Sequence, residues 1–179
     1  MKITKEIQLQ YPKLELTTLY LAVYSDASLH DIRDRTSQIG FIILLMDRTT
    51  RCRVLQFLLH KSRRVTRSNM AADALAFADA FDHAFILKHD LQRILGREVP
   101  LLMLTDSKLL FDAITGNKYT TEKRLMVDIA FIRKAHHDHI ISNIALIRSE
   151  HNAADAMTKV TQKYCLARNT AHSSSVSST

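Results

Sequence analysis

Glycine occurs only three times in the 179 residues. That is too few for a glycine-rich phosphate loop, and no Gly-x-Ser-x-Gly elbow is present. Ser25, Ser28 and Ser107 stand beside acids, yet without that elbow they make a poor hydrolase triad, and nucleotide-cradling enzymes are equally poor fits. Cysteine is as scarce. Cys52 and Cys165 lie far apart with no metal-type spacing, which suits free or buried thiols better than a disulfide. No run approaches eighteen uncharged apolar residues, and the opening MKITKEIQLQ lacks the apolar core and cleavage site of a secretory signal. The expectation is an intracellular protein, in cytoplasm or nucleus, without a membrane span or an organic cofactor.

Positive charge is what the chain has to spare. Its 25 Lys and Arg outnumber 18 Asp and Glu for a formal net charge of +7, and this excess favours a polyanionic partner. The apolar share of 46% and the length of 179 residues suit one globular domain with a real core. No internal repeat is evident.

The stretch LYLAVYSDAS, residues 19 to 28, reads as a strand that enters a turn at Ser25-Asp26. Before it, Tyr11-Pro12 argues against a continuous helix, so residues 1–18 read as a lead-in. His30 to Arg35 is a charged turn, Gln38 to Met46 is a nearly all-apolar second strand buried on both faces, and Arg51 to His60 is a third strand after the polar loop Asp47 to Thr50. The period then changes. From Ser68, a plausible N-cap, apolar residues recur at spacings of three and four as far as Gly96, which predicts a long amphipathic helix. Val99 and Leu101 to Thr105 form a short strand ending at Asp106, and Ser107 can cap a second helix that runs through Ile114 to the Gly116-Asn117 break. Thr121 to His139 is a third helix, Ile140 to Ile147 a strand, and His151-Asn152 opens a last helix. Residues 19–162 make up the domain and 163–179 a tail, whose Ser- and Thr-rich end from about residue 173 has no apolar content to order it. Three strands in a meander followed by alternating helices and strands predict an α/β fold with a mixed sheet, and in such sheets a site gathers at strand ends.

Four carboxylates fall at element boundaries: Asp26, Asp73, Asp106 and Asp155. Ala71, Ala72, Ala74 and Ala76 surround Asp73, and such small neighbours let a helix lie close to a sheet and bring that acid towards the other strand ends. Acids converging from separate elements suit hard divalent cations, and a pair of these about 3.5 to 4 Å apart can clamp both oxygens of a phosphodiester displacement. Taken singly, each acid reads as well as a cap or a solvated charge.

Together, YSDAS at 24 to 28, KSRRVTRSNMAADALAFADAF at 61 to 81, LTDSKLLFDAIT at 104 to 115 and HNAADAMTK at 151 to 159 resemble the ribonuclease H domain of Ty1/copia-type retrotransposon polyproteins. The resemblance spans about Tyr11 to Lys159 in the same order. It implies a ribonuclease H-like fold, a five-stranded mixed sheet of three antiparallel strands extended by two parallel ones and flanked by helices. It also implies hydrolysis of the RNA strand of RNA–DNA hybrids with two Mg²⁺ or Mn²⁺ ions. Carried over by motif, Asp26, Asp73, Asp106 and Asp155 fall on the four acidic, metal-binding and catalytic positions. One position departs: where the family pattern has Ala-Ala-Glu, this chain has Ala71-Ala72-Asp73, whose side chain is shorter by one carbon-carbon bond, roughly 1.5 Å. An alternative follows from that departure, a module that binds nucleic acid or a partner with weakened or no turnover.

His151, four residues before Asp155, occupies the place of a mobile histidine that assists proton transfer in ribonucleases H, and Asn152 matches an Asn of the pattern that orients or caps the Asp155 turn. Lys61, Arg63, Arg64 and Arg67 form a basic cluster ahead of the long helix, fit either for hybrid phosphates or as a solvated connector. Arg48, Arg51 and Arg53 read as solvent-facing. His136, His137 and His139 are too compressed for a tetrahedral zinc site and suit a helix C-terminus instead.

Overall fold

The computed structural model describes residues 11–29, 37–62, 64, 66, 68–116 and 123–158. The predicted turn at 30–35, Arg63, Arg67 and the tail from residue 163 fall outside the described residues.

Five strands form one sheet: β1 (Tyr20–Leu29), β2 (Ser37–Met46), β3 (Cys52–Lys61), β4 (Leu101–Thr105) and β5 (Asn143–Leu146), in the order β3-β2-β1-β4-β5. β1 pairs with β2, and β2 with β3, antiparallel; β4 runs parallel to β1, and β5 parallel to β4. Three antiparallel strands extended by two parallel ones is the predicted sheet.

Both faces of the central strands are covered, which is why β2 is apolar almost throughout. On one face Leu21, Val23, Phe41 and Ile43 pack against α1 (Asn69–Leu95), and Leu110 of α2 (Lys108–Thr115) joins Leu125, Ile129 and Ile132 of α3 (Lys123–His137) in the same core. A smaller cluster of Ala22, Ile42, Leu44, Leu104 and Ala154 covers the other face, close to the short helix α4 (Asp155–Thr158).

α1 starts and stops where its sequence says. The Ser68 hydroxyl accepts the Ala71 amide at 3.1 Å, and Gly96 takes the left-handed conformation (φ 64°) that ends the helix. Ala71, Ala74, Ala80 and Ala84 lie buried along it, so small side chains do let the helix approach the sheet.

Four expectations need correction. β1 does not turn at Asp26; β2 keeps pairing with it as far as Leu29, whereas the pairing with β4 stops at Tyr24. β5 is shorter than Ile140 to Ile147 because Ile140 and Ile141 close the turn after α3, donating both amides to the Ala135 carbonyl, with His139 in left-handed conformation (φ 59°). Ser107 precedes α2 without a side-chain cap. Arg53 does not simply face solvent: half-buried, it donates from Nε to the Pro12 carbonyl at 2.9 Å and lies over the Tyr11 ring, while Arg51 is exposed as expected and donates to the Lys13 carbonyl at 3.0 Å.

Candidate active site

The staggered pairing of β1 builds the site. Beyond Tyr24 the parallel half of the sheet has ended, so Asp26, still held by β2 opposite Gly40, lies beside the gap that β4 leaves. Asp106 follows directly on β4, and Asp155 opens α4. These three acids each offer one carboxylate oxygen, and the three oxygens lie within 4.8 Å of one another. Asp26 and Asp155 are buried and Asp106 is half-buried, so little water separates the three charges. Three carboxylates this close repel unless something positive or a proton lies between them. Such an oxygen-only donor set is consistent with a hard divalent metal.

Asp73 reaches the same place from the other face of the sheet, in the first turns of α1, but it stands beside the group rather than in it. Its carboxyl is pushed up to about 6, first by burial and then by the charges of Asp26 and Asp106, while hydrogen bonding from the Ser107 hydroxyl and the Ala27 amide favours the ionised form. All four acids named from the sequence therefore share one electrostatic neighbourhood. The side-chain oxygen of Ser107 serves Asp73 instead of capping α2.

Asn152 knits the site together. Its Nδ2 donates to the Ser25 carbonyl at 3.0 Å and to Asp106 Oδ1 at 3.1 Å, and its Oδ1 accepts the Ala154 amide at 3.1 Å. One buried side chain thus ties β1, the end of β4 and the turn into α4, a larger role than capping. His151 sits exposed in the 3₁₀ turn Ser149–His151 just ahead of it. Of the basic cluster, Lys61 is exposed at the end of β3, and Arg64 pairs with Asp128 of α3 at 3.3 Å. His136 and His137 lie in the last turn of α3, where His137 meets Asp138 at 3.3 Å. Sequence reasoning did not single out Thr158, whose hydroxyl donates to Asp26. Its spacing of three from Asp155, on one helix, was the only local signal.

Sheet order, parallel extension and converging acids define a ribonuclease H-like fold. No family model and no curated protein matches the chain. Among solved structures it is similar to ribonuclease H1 of the halophilic archaeon Halobacterium salinarum (TM-score 0.53, 17% identity, 76% of this chain and 92% of that one). It is similar also to the N-terminal ribonuclease H domain of rv2228c from Mycobacterium tuberculosis (TM-score 0.51, 15% identity, 83% and 97%). A third is the foamy viral protease-reverse transcriptase in complex with RNA/DNA hybrid (TM-score 0.51, 12% identity), of which this chain matches 21% while 88% of this chain is covered. At these identities the likeness concerns the fold.

Proposed function

We propose that this chain is a metal-dependent endonuclease that hydrolyses the RNA strand of RNA–DNA hybrids, derived from a Ty1/copia-type retroelement and acting inside the cell. The observation that carries this reading is the meeting of Asp26, Asp106 and Asp155 oxygens within 4.8 Å on a ribonuclease H-like sheet. The foamy viral enzyme, similar in fold, is described with an RNA/DNA hybrid bound, which supports the choice of substrate.

Asp26, Asp106 and Asp155, with Asp73 beside them, would hold two Mg²⁺ or Mn²⁺ ions. Bound there, such ions supply an activated water and stabilise the charge that develops on the phosphate oxygens. The protein's own part is to hold the carboxylates in place: Asn152 holds Asp106 by a hydrogen bond, and bonds from Ser107 and Ala27 partly offset the burial that raises Asp73. His151, exposed at the turn, would carry protons between solvent and the site. Lys61, Arg63, Arg64 and Arg67 would meet hybrid phosphates, Arg64 exchanging Asp128 for a phosphate as it does so.

A second reading is favoured by one observation, that Asp73 stands outside the carboxylate group. With a side chain one carbon shorter than the family's glutamate, the chain would bind hybrids without efficient turnover. Cleavage of a labelled hybrid by wild type and Asp73→Glu, in Mg²⁺ and in Mn²⁺, separates the two. Cleavage by wild type supports the enzyme; binding without cleavage, restored by Asp73→Glu, supports the second reading.

A further inference from the structure

Thr158, the last residue of α4, is 2% exposed although it is polar. Its Oγ1 lies 3.4 Å from the Asp155 carbonyl and much closer to Asp26 Oδ2. A hydroxyl has one proton to give, and the Asp26 carboxylate oxygen is much the nearer acceptor, so the bond is made to Asp26. At the other end of the residue the Thr158 carbonyl accepts from the Ser28 hydroxyl at 3.4 Å, two residues along β1 from Asp26.

Gly40 explains how α4 comes so near. It is the cross-strand partner of Asp26, and a Cβ added there would stand 2.9 Å from Thr158 Cγ2, closer than carbon atoms pack. Any side chain at 40 would lift Thr158 away. The methyl of Thr158 thus occupies the space that glycine leaves, and its hydroxyl is delivered to the acid next door. Two contacts, to Asp26 and over Gly40, fix the side chain, and a third, from Ser28, holds the residue's backbone carbonyl.

We propose that Thr158, seated on Gly40, is the positioning residue for Asp26: it sets the torsion of that carboxylate, and hence the direction in which its oxygens meet those of Asp106 and Asp155. The inference rests on the metal-site part of the function proposed above. Thr158 touches neither substrate nor metal; it acts through Asp26. Partners of this kind around metal ligands typically account for roughly 10- to 100-fold in metal affinity or activity.

The test is calorimetric titration of the full chain with Mn²⁺ and Mg²⁺, alongside kcat and KM for hybrid cleavage and the apo melting temperature. Thr158→Val keeps the shape and removes the hydroxyl; its Kd for Mn²⁺ should rise about 10-fold or more. Thr158→Ser should bind like wild type, and Gly40→Ala should weaken binding as Thr158→Val does, with kcat falling and KM for the hybrid unchanged. If Thr158→Val does not fold, Thr158→Ser against Thr158→Ala carries the same comparison. Wild-type affinity in Thr158→Val or in Thr158→Ala overturns the inference. Metal binding that depends on Thr158 in a wild type that cleaves nothing overturns the nuclease reading and leaves the positioning role standing; no metal binding by wild type overturns both.

Discussion

Asp73 is an acid whose ionisation its surroundings oppose. Burial and the charges of Asp26 and Asp106 push its carboxyl up to about 6, above the 3.8 of a free aspartate. A group whose folded value lies above its unfolded value stabilises the fold fully below the unfolded one. That contribution is lost as pH rises through the folded value, here between about 4 and 7. Asp73→Asn removes the ionisation. The metal-free variant should therefore be more stable than wild type at pH 8, on the order of 2 kcal/mol, and the gap should close towards pH 4 in paired thermal melts. A gap independent of pH would show that Asp73 ionises freely. Lengthening the same side chain is the complementary change: Asp73→Glu restores roughly 1.5 Å of reach, and relocation on that scale at a reacting centre is worth on the order of 10²-fold in rate. The four acids were legible in the sequence because Asp106 follows β4 and Asp155 opens α4, while Asp26 and Asp73 stand beside small residues, Ala27 and Ala72. Thr158 and Gly40 were not, since they meet Asp26 only through pairings across the sheet and over 132 residues of chain.

At the level of elements, α1 carries the most, spanning 27 residues with one face against the sheet. Its N-terminus is fixed by the Ser68 hydroxyl on the Ala71 amide, and Asp73 follows just after that first turn. Ser68→Ala should cost about 1 kcal/mol in denaturant unfolding. Phe77→Ala, which empties a fully buried position in the same helix, should cost roughly 3 to 5 kcal/mol. Equal losses for the two would contradict this account of the packing. α1 was readable end to end because an N-cap, a helical period and a C-terminal glycine agree. The strand before Asp26 and the last strand were readable only in part. Pairing with β2 carries β1 three residues past the acid, and Ile140 and Ile141, apolar enough to pass for strand, serve the turn that returns α3 to the sheet.

The whole chain carries a net charge of +7, yet it gathers three aspartates, Asp26, Asp106 and Asp155, at one place with Asp73 beside them. On the proposed function, the net charge would attract a polyanion, and the acidic centre would be neutralised by bound cations. Hybrid affinity should fall steeply as salt rises, and Lys61→Ala, at the exposed end of β3, should weaken binding without changing which sequences are bound. Composition alone suggested a polyanionic partner, and motif order suggested which one; the three-dimensional meeting of the acids is what chemistry requires, and no linear pattern contains it. The most direct measurement is cleavage of an end-labelled RNA–DNA hybrid by folded wild type and by Asp26→Asn, in Mg²⁺ and in Mn²⁺. RNA fragments from wild type in at least one metal, and none from Asp26→Asn, are the predicted result. No fragments from wild type in either metal, or equal cleavage by both proteins, would contradict the account.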